Sequence, residues 1–269
     1  MDVRNKTAVV TGAAGGIGAA LAQRLLESGA RVLLTDLDDS RLQETASALA
    51  AAFVDHVVAR AVDASVAEDI SSLLALATQT LGPVDLYFAN AGVGGGPGLE
   101  ATDDEWQVAI DVNLMAHVRA ARLLVPDWLE RGEGYFISTA SAAGLLTQLG
   151  SATYSVTKGG AVAFSEWLAV TYGAAGVRVS CVCPMGVDTD MLRAGMQSPD
   201  ELERVASRAV TDAGGVLSPL DTADVVMAAI ADERFLVLPH PEVLEMHQRK
   251  AADRDRWIRS MQRYGASLR

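Results

Sequence analysis

The chain has 269 residues, half of them hydrophobic, and its 22 basic and 34 acidic side chains give a formal net charge of −12. That length suits one large domain, the apolar share excludes global disorder, and the acidic balance argues against nucleic acid, whose phosphates demand a basic face. No apolar run reaches the length of a membrane span and the first residues carry no apolar leader core, so a cytoplasmic protein with no membrane partner is expected.

Residues 6–10 are a β-prone run that ends in T-G-A-A-G-G-I-G, and a helical pattern with a glycine stop follows over 19–29. Glycines let a backbone approach a pyrophosphate, and a helix N-terminus offers N–H groups to it. Gly12, Gly16 and Gly18, with Ile17 between the last two, therefore mark a dinucleotide turn. Their spacing is G-x-x-x-G-x-G, not the commoner G-x-G-x-x-G. A second strand, 31–35, leads to Asp36. An acid there accepts hydrogen bonds from the adenosine ribose and repels a 2′-phosphate. With Leu37 next and no basic residue in the glycine turn, this favours NAD over NADP. Arg41 reads as a solvated position on the following helix.

A helix over 42–52 and a strand over 56–62 come next, the strand ending at Asp63, which could meet an adenine or start the helix of 64–81. Gly82-Pro83 breaks that helix. A fourth strand, 84–89, ends in Asn90, Ala91 and Gly92, and the glycine-rich loop 93–98 is expected to be mobile or closely packed. A helix opens at 102–105 with acids in its first turn and runs to about residue 131. Asn113 sits in its middle, where asparagine competes for the backbone. It reads either as solvent-facing or as marking a helix locally opened to hold water or a polar side chain.

A fifth strand, 135–138, leads to Ser141, and the helix 152–172 carries Tyr154 and Lys158 four residues apart, on one face. An ammonium beside a phenol favours the phenolate, so Tyr154 is expected to titrate below its free value and to exchange a proton with an alcohol or ketone oxygen. Ser141 is free to turn toward the same oxygen. Cys181 and Cys183 alternate with Val182 in the sixth strand region and read as buried core thiols, not as a disulfide or metal ligands; no metal site is expected. P-M-G-V-D-T follows at 184–189, then a substrate loop of low regularity, about 188–218, which carries Met191, Leu192 and Met196 and then a polar helix-like run, a helix at 222–231, a last strand at 235–238 and a polar helical tail. The alternation of strands and helices predicts an α/β fold: a single doubly wound Rossmann-type domain over 1–239, a seven-stranded parallel sheet with helices on both faces, and a helical extension over 240–269.

In this order and spacing the glycine turn, Asp36, Asp63, N-A-G at 90–92, V-N-L around Asn113, Ser141, Y-S-V-T-K and P-M-G-V-D-T resemble the classical short-chain dehydrogenases/reductases over residues 6–238. The resemblance implies a catalytic tetrad of Asn113, Ser141, Tyr154 and Lys158. Tyr154 would be the general acid/base, Lys158 would lower its pKa and hold the nicotinamide ribose, Ser141 would position the substrate oxygen, and Asn113 would hold a water. It also implies NAD bound by Gly12, Gly16, Ile17, Gly18, Asp36, Asp63, Asn90, Gly92, Tyr154, Lys158, Val187 and Thr189. A homo-oligomer, tetramer or alternatively dimer, would form through the long helices around Asn113 and Tyr154. One departure stands out: Met185 occupies the place of the family's usual glycine, beside the nicotinamide.

Leu145, Leu146, Leu149, Met185, Met191, Leu192 and Met196 are the pocket candidates, and their apolar character favours a neutral, hydrophobic small-molecule substrate. The expected function is NAD-dependent interconversion of a secondary alcohol and a ketone. Alternatives are an NADPH-dependent ketone reductase, which Asp36 opposes, and a non-catalytic NAD-binding sensor or scaffold, which the filled tetrad opposes.

Overall fold

The computed structural model describes residues 1–94 and 98–268; part of the glycine-rich loop 93–98 falls outside them. Among the described residues there are seven strands: β1 Thr7–Thr11, β2 Arg31–Thr35, β3 Val57–Ala59, β4 Val84–Ala89, β5 Gly134–Thr139, β6 Val177–Val182 and β7 Leu236–Val237. All pair in parallel, in the order β3-β2-β1-β4-β5-β6-β7. The order reverses between β1 and β4, and in such sheets the crevice beyond the strands' carboxyl ends at that point takes the ligand.

The helices are α1 Gly16–Glu27, α2 Asp39–Ala50, α3 Ala67–Thr80, α4 Asp103–Ile110, α5 Ala116–Arg131, α6 Ala142–Leu146, α7 Ala152–Tyr172, α8 Asp190–Gln197, α9 Glu201–Ala213, α10 Pro219–Ala231, α11 Glu242–Ala252 and α12 Arg254–Ser267. A π-helical turn, Asp111–Met115, joins α4 to α5.

Period-2 alternation sorts the strand side chains into two cores. Val10, Leu34, Phe88 and Ile137 pack with α1, α2 and α10, whereas Val9, Leu33, Tyr87 and Phe136 pack with α3, α5 and α7. Helices thus cover both faces, as the sequence pattern requires.

Three expectations need correction. Strand β3 is shorter than residues 56–62, although Arg60 and Val62 still donate to the Leu34 and Asp36 carbonyls at 3.1 and 3.2 Å. The segment 190–218 is not irregular: it folds into α8 and α9, capped by Thr189 and Asp200. The tail is two helices, because Asp253 ends α11 and then accepts from the Arg256 N–H to start α12. This tail docks on the body. Lys250 Nζ donates to the Leu145 carbonyl at 2.6 Å, Tyr264 donates to the Ala209 carbonyl at 3.3 Å, and Leu149, Tyr264 and Leu268 pack with Val205 and Ala209 of α9. No helix among the described residues is long and apolar enough to cross a membrane.

Candidate active site

The glycine turn leaves β1 and enters α1 with positive φ at Gly12 (65°) and Gly16 (53°), a region side-chain-bearing residues rarely adopt. A Cβ on Gly18 would stand 2.1 Å from the Gly12 carbonyl oxygen, and one on Gly12 would stand 2.9 Å from Ala91 Cα. The turn therefore closes only with glycine. No side chain caps α1, so its first N–H groups, including that of Ile17, remain for a ligand's pyrophosphate. Asp36 lies at the tip of β2, one carboxylate oxygen accepting from the Ala14 N–H at 3.0 Å and the other from Leu37 at 2.7 Å. The cradle of glycines, free N–H groups and a fixed carboxylate fits a dinucleotide with an unphosphorylated ribose.

Asp63 accepts from the Ser65 N–H at 2.8 Å in the approach to α3, and its second carboxylate oxygen has no partner among the described residues. Asn90 spends its side chain on the protein. Its amide donates to the Thr11 carbonyl at 2.9 Å and its oxygen accepts from Thr139 at 3.1 Å, so it ties the ends of β1, β4 and β5 together. A ligand can meet only its backbone.

The four tetrad candidates converge beyond β5. Ser141 caps α6: its Oγ accepts from the Ala143 N–H at 3.1 Å and donates to the Pro184 carbonyl at 3.4 Å. Lys158 is buried, donates to the Thr139 carbonyl at 2.8 Å, and holds its Nζ 5.7 Å from the centre of the Tyr154 ring. Gly92 makes room for it: a Cβ there would lie 3.4 Å from Lys158 Nζ and 3.2 Å from Asn113 Oδ1. Asn113 is fully buried in the π turn, not solvent-facing. It accepts from the Val93 N–H at 2.9 Å and donates to the Val93 carbonyl at 3.1 Å and to Thr157 Oγ1 at 3.2 Å.

The electrostatics correct one expectation. Burial pushes the Tyr154 phenol above its usual range, with Ser141 pulling partly the other way, and Lys158 does not bring it below its free value. Tyr154 still keeps part of its surface accessible. Desolvation instead acts on the lysine, lowering it to about 8.

Helix α8 lies across the mouth of this cleft. Thr189, its cap, places Cγ2 3.1 Å from where a Gly16 Cβ would be, and Met191 reaches toward Gly94. Val187 is buried and its carbonyl accepts from the Thr189 hydroxyl at 3.3 Å. Arg41 is not simply solvated: it pairs with Asp190 of α8 at 2.5 Å across the nucleotide side. Of the pocket candidates, Leu145 and Leu146 are buried core, packed with Cys181, Cys183 and Val243, while Met191 and Met196 remain exposed. Cys181 and Cys183 are free, buried thiols with sulfurs 3.8 Å apart.

Sequence reasoning missed His117. It is buried beside the cleft, its Nδ1 2.9 Å from Ser138 Oγ and its Nε2 without a partner among the described residues. Desolvation, helped by the Lys158 charge, lowers it to about 3. Nothing local marks it, because its burial comes from β4 and β5.

Residues 6–200 match the short chain dehydrogenase family. The chain is 36% identical over 248 residues to a 1-deoxy-11-beta-hydroxypentalenate dehydrogenase of Streptomyces avermitilis, covering 90% of this chain and 87% of that protein. It is 34% identical to 3beta-hydroxysteroid dehydrogenase 2 of Eggerthella lenta, over 84% of this chain and 86% of the other. A crystal structure of a short chain dehydrogenase/reductase from Burkholderia phymatum in complex with NAD superposes with a TM-score of 0.85 at 31% identity, over 95% of this chain and 96% of that one.

Proposed function

The chain belongs to the short chain dehydrogenase family of oxidoreductases acting on hydroxyl and ketone groups, and we propose that it interconverts a secondary alcohol and a ketone with NAD. The observation that carries the reading is the convergence of Ser141, Tyr154 and Lys158 beside a glycine cradle whose ribose end holds Asp36. The fold similarity to an NAD complex supports the cofactor choice.

The glycine turn of Gly12, Gly16 and Gly18, with Asp36 at its ribose end, would hold NAD, which would supply the acceptor for the carbinol hydride in oxidation and, reduced, its donor in the opposite direction. Tyr154 takes the hydroxyl proton in oxidation and gives it back in reduction. Ser141 donates a hydrogen bond to the same oxygen and fixes it against the phenol. Lys158, fixed on the Thr139 carbonyl, sets its positive charge over the Tyr154 ring, where it favours the negative charge that develops as the proton moves. Asn113 acts as a brace, its side chain engaged with Val93 and Thr157, which leaves the backbone of the π turn to hold a water between Lys158 and solvent, should one bind there.

The substrate is a neutral and largely apolar alcohol. Leu149, Met185 and Leu192 offer no charge to bind a carboxylate or phosphate, and the 3beta-hydroxysteroid for which one relative is named is a neutral apolar alcohol, whereas the hydroxypentalenate of the other adds a carboxylate to an apolar body. The chain assembles as a homo-oligomer, a tetramer or alternatively a dimer. Helices α5 and α7 leave Leu123, Val156, Trp167 and Val170 exposed, and patches of this kind mark protein–protein surfaces. Light scattering tests that assembly.

The deciding experiment follows nucleotide absorbance with NAD or NADP and secondary alcohols from small aliphatic to polycyclic. Turnover with NAD and a preference over NADP lost in Asp36→Ala would support the reading. Preference for NADPH in the intact protein would replace it with the biosynthetic ketone reductase. NAD binding with no turnover of any alcohol would favour a sensor.

A further inference from the structure

The lid formed by α8 and α9 leaves and rejoins the body at one place. Its outgoing segment, Met185 to Asp188, and its returning segment, Gly214 to Leu217, run side by side. The Leu217 N–H donates to the Gly186 carbonyl at 3.0 Å, the Asp188 N–H donates to the Leu217 carbonyl at 2.9 Å, and Val187 bridges to Leu217.

A third tie is a side chain from outside the lid. His240 is 2% exposed. Its Nδ1 accepts from the Met185 N–H at 3.1 Å, and its Nε2 lies 2.9 Å from the Gly215 carbonyl. Because Nδ1 accepts, the proton sits on Nε2 and is donated to Gly215, so one neutral tautomer satisfies both partners. Pro239 and Pro241 flank the residue and restrict its backbone, and its carbonyl accepts from the N–H of the fully buried Val243 at 3.1 Å. The imidazole is thus delivered by the rigid start of the tail. The same hinge is crowded at Gly214, where a Cβ would stand 2.4 Å from both Met185 Cε and Glu242 Oε1.

We propose that His240 is a positioning residue: it latches the hinge of the α8–α9 lid to the turn that carries Met185 and thereby sets the width of the substrate space. The latch stands on the geometry alone; its effect on specificity rests on the alcohol–ketone reading. His240 hydrogen-bonds no member of the tetrad and reaches Ser141 only through the Pro184–Met185 peptide, so its loss acts on substrate fit more than on the proton transfer.

The test compares full-length wild type, His240→Phe and His240→Asn by amide hydrogen exchange, NAD calorimetry and kinetics with a small and a bulky alcohol. His240→Phe removes both bonds while keeping a ring. Exchange across residues 190–213 is expected to rise roughly tenfold, the factor that loss of one or two neutral hydrogen bonds gives, while sheet amides and NAD affinity stay unchanged. The KM ratio of bulky to small alcohol shifts several-fold with kcat for the small one retained. His240→Asn keeps an acceptor for the Met185 N–H and recovers part of the lid protection. Unchanged lid exchange, an equal rise in the sheet, or an unchanged KM ratio in an active enzyme would overturn the latch. If His240→Phe does not fold, His240→Asn carries the test: the loss of the Gly215 bond must still speed lid exchange above wild type. Failure to turn over any alcohol, with lid exchange raised as expected, would sink the reading of the reaction and leave the latch standing.

Discussion

The two sides of the cleft are built by different means. On the nucleotide side, backbone meets backbone: a Cβ on Gly18 would collide with the Gly12 carbonyl at 2.1 Å, and Asn90 spends its amide on the main chain of β1. On the substrate side main-chain approaches such as Gly150 to the Leu202 carbonyl are joined by contacts that side-chain tips make. The hinge at Gly214 faces the ends of Met185 and Glu242, Leu149 packs against Gly265, and Met191 and Met196 stand exposed. A main chain cannot yield without moving a strand, whereas a methionine tip yields by changing rotamer. The first side therefore accepts one ligand shape, and the second can be re-cut residue by residue.

Tyr154 stands at the seam, and the largest effect belongs to it. Tyr154→Phe is expected to lower kcat by about 10²–10⁴-fold, the range for losing a positioned acid/base, with NAD affinity by calorimetry unchanged. Loss of NAD binding as well would move the phenol to the nucleotide side and blur the division. Next comes a matched pair. Gly18→Ala forces a methyl into a carbonyl and is expected to cost about 1–3 kcal/mol of stability together with NAD affinity. Gly214→Ala displaces only the tips of Met185 and Glu242, so it should alter preference among alcohols while thermal melting and NAD affinity hold. Similar losses from the two would erase the contrast.

A third expectation concerns pH. Burial holds the Tyr154 phenol in its neutral form, and oxidation needs it deprotonated, so kcat/KM for an alcohol should rise toward alkaline pH while ketone reduction falls. Lys158, lowered to about 8, loses its charge on the acid side of that rise, so the profile reports on both groups. Lys158→Met removes the positive charge and should push that limb further alkaline, as pH–rate profiles in both directions would show.

A further effect, read on stability and not on turnover, appears in acid. His117 has a folded-state pKa of about 3, below the ordinary 6.5, so protons favour the unfolded chain. Its contribution is complete above its unfolded pKa and falls by about 1.4 kcal/mol per pH unit as pH drops toward the folded value. His117→Phe should remove that slope from denaturation curves taken at neutral and mildly acidic pH.

What was legible in the chain follows the same division. The glycine turn, Asp36 and the helix 152–172 depend on residues close in sequence, and the structure places them where the pattern did. Helix α8 was missed and α9 was legible only as a polar helix-like run, because both segments are polar on average, although each carries an apolar stripe and Thr189 and Asp200 are ordinary capping residues. Leu145 and Leu146 were assigned to the pocket because the tail that buries them lies about a hundred positions on. His240 and Arg41 gave no local sign, since their partners belong to other segments: Met185 and Gly215 for one, Asp190 for the other. The upward push on Tyr154 was invisible because it comes from burial, which spacing alone does not report.

The π turn at Asp111–Met115 has a consequence for deletions. A π turn amounts to one residue added to an α-helix, in which each residue advances the face by about 100°. Removing a single residue there would let the whole stretch from Asp103 to Arg131 wind as one regular helix. Asn113 would then lose the bulge that aims it at Val93, while Ala120, Leu124 and Trp128, beyond the bulge, would keep their phase against the sheet. A one-residue deletion at this point should thus cost the site more than the fold, because the bulge takes up its extra residue locally and the helix on either side keeps its register.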